Sequence, residues 1–187
     1  STGMAAASEI SEAVDCVKSC GNEQIALLKC TSSYPAPEED SNLMTIKNMK
    51  QVYDCQTGLS DHTLGIGVAI AAVSLGATII EKHFTLSRSD GGVDSSFSLE
   101  PDEMKALVVE CRRAWKGIGR VKYGPTDSEK ESVLQRRSIY ICSNLSKGDL
   151  LSTDNTRSIR PGLGLPPKFI DDVLGRRVNC AIRKGTP

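Results

Sequence analysis

The chain has 187 residues, 39% hydrophobic and 25% charged, with 23 basic side chains against 23 acidic ones. That composition belongs to soluble globular domains, enough for one ordinary domain or one and a half small ones, and a net charge of zero offers no bulk field to nucleic acid or an anionic membrane. No signal peptide is visible and the longest apolar run, residues 67–80, is shorter than a membrane span, so no membrane partner and a cytoplasmic location are expected. The seven cysteines are odd in number and scattered without a CxxC pair, which fits reduced, buried thiols.

In chain order, Ser1-Thr2-Gly3-Met4-Ala5 reads as a loop feeding a helix over residues 8–20, where Ile10, Val14 and Val17 recur at helical spacing and Gly21 is the stop. Ile25-Ala26-Leu27-Leu28-Lys29-Cys30 reads as a strand. The loop after it, Thr31-Ser32-Ser33-Tyr34-Pro35-Ala36-Pro37, is rich in hydroxyls and held by two prolines, and hydroxyls just past a strand suggest an oxyanion or phosphate site. Leu43, Ile46, Met49 and Val52 predict a second helix, and Gly58-Leu59-Ser60-Asp61-His62-Thr63 predicts a second strand. Residues 64–75 are apolar nearly all round and predict a buried helix with Gly76 at its end. Ala77-Thr78-Ile79-Ile80 then predicts a parallel strand covered on both faces, running into Glu81-Lys82-His83-Phe84-Thr85. Met104, Leu107, Val108, Cys111 and Trp115 predict a fourth helix after Pro101.

The chain's two histidines, His62 and His83, therefore stand at the carboxyl ends of neighbouring parallel strands joined by a crossover helix. Alternation puts Ser60 with His62 on one strand face and Glu81 with His83 on another, so each strand offers an imidazole plus an oxygen-bearing neighbour. Two converging imidazoles suit a metal site; the spacing fits a pair of satisfied structural histidines equally well.

Strict alternation of strand and helix, with chemically active groups at every strand exit, predicts an α/β fold of the TIM (β/α)8 barrel type. Three strands and four helices make only its C-terminal half, so a fragment or one product of a split gene is expected. The partial barrel is assigned to residues 1–115 and a linker or extended arm to 116–136. A second, truncated unit over 137–187 has short β segments near Ser138-Ile139-Tyr140-Ile141-Cys142, a turn at Ser146-Lys147-Gly148-Asp149 and a short helix near Lys168. Within it, Arg160-Pro161-Gly162-Leu163-Gly164 is a rigid loop whose arginine either grips a carboxylate or is simply solvated.

These motifs resemble the sialic acid synthases, most closely the pseudaminic acid synthases, over essentially the whole chain. Ser-Thr-Gly-Met at Ser1, Cys-Thr-Ser-Ser-Tyr-Pro at Cys30, Gly-Leu-Ser-Asp-His-Thr at Gly58 and Glu-Lys-His-Phe-Thr at Glu81 follow the family's order and approximate spacing. The stretch from Ser89-Asp90-Gly91-Gly92-Val93-Asp94 to Glu100-Pro101 resembles the pseudaminic branch, and Arg160-Pro161-Gly162 its antifreeze-like (SAF) domain.

The resemblance implies condensation of phosphoenolpyruvate with an N-acetylated amino-sugar aldehyde, here 2,4-diacetamido-2,4,6-trideoxy-altrose, giving a nonulosonic acid and phosphate. It implies a divalent metal, usually manganese (Mn2+), held by His62 and His83 and polarising the aldehyde oxygen. It assigns Ser1, Ser32 and Ser60 to the phosphoenolpyruvate pocket, although some members carry asparagine where Ser32 stands. Tyr34 and Asp94 are assigned to substrate, and Glu81 to proton handling or to orienting the metal shell, with an ordinary turn as the alternative role for Asp94.

Arg160 matches an arginine that one subunit extends into the active site of the other, which implies a domain-swapped homodimer. The family's phosphoenolpyruvate-binding lysines and early catalytic glutamate lie upstream of the residues present here, so the 187 residues alone are expected to be poorly stable and to show little or no synthase activity. N-acetylneuraminate or legionaminate synthesis stands as the nearer alternative, and a non-catalytic sugar- or partner-binding module as the farther one.

Overall fold

The computed structural model describes residues 1–187, which divide into two units, Ser1–Arg120 and Val121–Pro187. In the first, three short runs form strands β1 (Ala26–Cys30), β2 (Gln56–Asp61) and β3 (Ile79–Lys82), of which β1 is mainly apolar, β3 opens on two isoleucines and β2 is mostly polar. All are parallel, in the order β1-β2-β3, with Cys30 level with Ser60 and Ser60 level with Glu81. Helices α1 (Ala7–Ser19), α2 (Met44–Tyr53), α3 (Gly67–Ser74) and α4 (Pro101–Ile118) alternate with them, in the helix-strand order expected from the sequence.

The helix layer is held by Ile46, Leu59, Ala72 and Ala77, against which Leu43, Val68 and Ile80 pack, and by a second cluster of Ala69, Leu99 and Leu107. Along β2, Leu59 and Asp61 point into that layer while Gly58, Ser60 and His62 look out on the opposite face. A side chain at position 58 has no room there, because a Cβ would run into Ile79 O and lie 2.6 Å from Leu28 Cδ2. Before α1, the amide of Thr2 donates to Leu28 O at 2.8 Å, so the first residues lie alongside β1. Beyond β3, Phe84 bridges in parallel to Leu99.

Several expectations are corrected. The third helix begins at Gly67 rather than at residue 64, because Gly65 adopts a left-handed turn (φ 70°). It is not buried all round: Ala69, Ala72 and Val73 face the sheet, while Ala71 and Ser74 are exposed on the solvent side of a single helix layer. The third strand starts two residues later than expected and is not covered on both faces, since Ile79 points away from the helices and is 38% exposed. The thiols are all free, but Cys30 alone is buried, and Cys16, Cys20 and Cys180 lie exposed. No helix is long and apolar enough to cross a membrane.

The stretch read as a linker is helical at both ends, holding the last turn of α4 and a short helix α5 (Lys130–Leu134). In the second unit, β4 (Ser138–Ile141) pairs antiparallel with β5 (Thr156–Ile159), and Leu145 and Leu150 bridge to Ile182 and Arg177. Ile141, Leu145 and Val178 form its core. Ser138 Oγ donates to Pro161 O at 2.9 Å and accepts from the Gly164 amide at 3.1 Å, fastening the Arg160 loop to β4. The expected helix near Lys168 is one short turn followed by α6 (Ile170–Val173).

Candidate active site

The carboxyl ends of β2 and β3 carry three successive rungs. On the first, Ser60 Oγ donates to Glu81 Oε1 at 2.7 Å. On the second, Asp61 and Lys82 pair on the opposite, helix-facing side, Nζ to Oδ2 at 2.7 Å. One residue further, His62 and His83 bring their ring centres to 5.1 Å with planes at 67°. The two sequence-predicted pairs thus occupy one common face, because the strands are in register and each pair is two residues apart.

Each imidazole has one nitrogen engaged. His62, 7% exposed, has Nδ1 at 2.9 Å from the carbonyl of Thr31. A carbonyl only accepts, so Nδ1 carries the proton and a neutral ring keeps its lone pair on Nε2. Cys30 Sγ stands 3.8 Å from the same Nδ1. On His83 it is again Nδ1 that faces an oxygen, Asp94 Oδ2, at a longer 3.5 Å.

Metal–nitrogen bonds of about 2.1 Å put the centres of two imidazoles bound side by side on one ion roughly 5 Å apart. The observed pair meets that distance. No third His, Cys, Asp or Glu joins them, so further coordination would come from oxygens of water and substrate, a donor set that suits manganese.

Two aromatic rings wall the pair. Tyr34 lies 4.4 Å from His62 and 6.1 Å from His83, centre to centre, and Phe97 lies 5.0 Å from His83 and 5.9 Å from Tyr34. Phe97 is 5% exposed whereas Tyr34 is half exposed at the opening. The loop that bears Asp94 and Phe97 is clamped by Arg88, whose guanidinium reaches Glu103 by two nitrogens, at 2.5 and 3.0 Å, and Ser98 O at 3.0 Å. That pairing, with the Glu100 amide on the same carboxylate, holds the Glu103 carboxyl below its ordinary pKa.

The structure therefore brings Ser60, His62, Glu81, His83, Tyr34 and Asp94 together. Ser32, exposed, is at the next strand exit, its Oγ 3.8 Å from Cys30 Sγ and against Gly3. Ser1 is exposed beside Thr2 at the edge of β1. Arg160 is exposed on the second unit, directly after β5. Sequence reasoning missed Phe97, the Thr31 carbonyl and the Asp61–Lys82 pair. Only the last left a signal, opposite charges each preceding a histidine on neighbouring strands.

A parallel βα ladder with functional side chains gathered at its carboxyl edge is the site arrangement of α/β barrel proteins. The chain belongs to the NeuB family, whose family model matches residues 1–123, and a SAF domain matches residues 136–187. It is 38% identical over 185 residues to the pseudaminic acid synthase of Campylobacter jejuni, covering 99% of this chain and 54% of that protein. To the N,N'-diacetyllegionaminic acid synthase of Legionella pneumophila it is 40% identical over 191 residues, covering 100% and 54%. The solved N-acetylneuraminic acid (sialic acid) synthetase of Leptospira borgpetersenii superposes with a TM-score of 0.63 at 44% identity, covering 70% of this chain and 46% of that one. The chain spans about half the length of the curated relatives it matches.

Proposed function

We propose that this chain is the C-terminal half of the barrel, with the SAF domain, of a nonulosonic acid synthase of the pseudaminic type. The reaction joins the methylene carbon of phosphoenolpyruvate to the aldehyde carbon of 2,4-diacetamido-2,4,6-trideoxy-altrose, consumes one water and releases phosphate. The observation that carries this reading is the His62–His83 pair, each ring with Nδ1 turned to an oxygen, next to the Ser60–Glu81 hydrogen bond.

A divalent metal held by His62 and His83, manganese in this reading, supplies Lewis-acid polarisation of the aldehyde oxygen. The chain's own groups bind, orient and move protons. Ser1 and Ser32 offer hydroxyl donors to the carboxylate and phosphate of phosphoenolpyruvate, and Ser60 joins them when its single proton turns from Glu81 to the ligand. Glu81 uses one carboxylate oxygen to hold Ser60 and keeps the other for a proton at the reacting centre. Asp94 accepts from a sugar hydroxyl, and Tyr34 covers the His62 side of the pocket and excludes water there. Arg160 serves the active site of a second copy in a domain-swapped homodimer, in the cytoplasm.

The pseudaminic branch is favoured by the loop Ser89-Asp90-Gly91-Gly92-Val93-Asp94. The 40% identity to a legionaminic acid synthase supports the neighbouring sugar as the second reading. Incubating the intact gene product with phosphoenolpyruvate, Mn2+ and each candidate sugar, then weighing products by mass spectrometry, separates them. The altrose precursor is expected to gain the mass of pyruvic acid; gain with another sugar moves the substrate, and no product with any sugar overturns the synthase reading.

A further inference from the structure

The second rung of the ladder is used by none of the roles above, yet it lies directly between the two that carry the chemistry. Asp61 and Lys82, with side chains 1% and 2% exposed, pair inside the helix layer. Asp61 Oδ1 also accepts from the amide of Thr63 at 2.9 Å and from its hydroxyl at 2.8 Å, while Lys82 Nζ donates to Thr63 O at 2.5 Å. Both residues flanking His62 in the chain are thus tied to the residue that precedes His83. The buried pair offsets its own desolvation through these contacts and in turn partners the amide, hydroxyl and carbonyl of the buried Thr63.

We propose that Asp61 and Lys82 are positioning residues that fix the separation and ring orientation of His62 and His83 from the far side of the sheet. Neither touches the rings; they act through the backbone, by locking residues 61–63 of one strand end to residue 82 of the other. This rests on the reading that the two histidines bind one divalent ion. Partners that orient metal-binding histidines typically change affinity by about 10–100-fold when removed.

The test uses the intact gene product, with Mn2+ affinity from equilibrium dialysis and the His62 tautomer from imidazole nitrogen NMR shifts. Asp61→Asn and Lys82→Met each leave a buried charge unpaired and are expected to lose thermal stability as well as affinity. The deciding variant is therefore Asp61→Leu with Lys82→Met, which removes both charges. It is expected to lose some thermal stability, because the buried Thr63 amide, hydroxyl and carbonyl lose these partners, yet to remain folded at the assay temperature, to bind Mn2+ at least about tenfold more weakly and to lose the single Nδ1–H tautomer of His62. A folded double variant with wild-type affinity and tautomer overturns the positioning role. If wild-type binding is insensitive to His62→Ala, the metal reading fails, and an unchanged tautomer in the double variant would then sink the positioning role on its own evidence.

Discussion

Ser60 and Glu81 sit level with each other on adjacent parallel strands, and the Ser60 hydroxyl gives its proton to Glu81 Oε1 at 2.7 Å. The serine is 3% exposed and Glu81 is exposed, so the bond holds an open carboxylate against a buried strand position. Hydrogen bonds to charged groups are worth about 1.5–3 kcal/mol. Ser60→Ala is expected to lower kcat/KM for phosphoenolpyruvate by about tenfold or more and to lower the melting temperature by a few degrees, because the bond it removes also ties β2 to β3. Steady-state kinetics and thermal denaturation check both halves of the prediction.

Gly58 is required by close approach rather than by backbone conformation. A Cβ there would strike the backbone oxygen of Ile79, which cannot rotate away, and the Leu28 side chain. Gly58→Ala is expected to force β2 and β3 apart and to cost on the order of 2–3 kcal/mol, read as a lower denaturant midpoint at constant slope.

Legibility in the sequence followed the range of the interaction. Strand and helix order came from local periodicity, and the convergence of His62 with His83 followed from the crossover rule, since both depend on neighbours close in the chain. What stayed hidden was decided by packing from afar. The exposure of Ile79 and of the outer side of α3 depends on which layers cover them, not on their own apolar character. Phe97 meets His83 only after the loop folds back beneath the Arg88 clamp, and the carbonyl of Thr31 carries no side-chain signature at all.

The Arg88 clamp should titrate. Glu103 ionises more readily in the folded chain, first because Arg88 donates to it and then because the Glu100 amide does, so its stabilisation is full above the ordinary glutamate pKa, about 4.3, and is lost as pH falls through the lower folded value. The melting-temperature gap between wild type and Glu103→Gln should therefore shrink steadily below about pH 4. A gap that widens on acidification contradicts the assignment.

Phe97→Leu separates packing from ring contact. The substitution keeps most of the buried volume, with an expected cost under about 1.5 kcal/mol, but removes the ring 5.0 Å from His83. Mn2+ affinity is expected to fall severalfold while the fold persists; calorimetric titration beside a melting curve checks it.

The most direct test of the central claim is phosphate release from phosphoenolpyruvate by the intact gene product with the altrose precursor, measured before and after chelation and in His62→Ala. Sugar-dependent release that stops on chelation, returns with Mn2+ and is lost in the variant is the predicted result. Release that survives both chelation and His62→Ala would contradict the account.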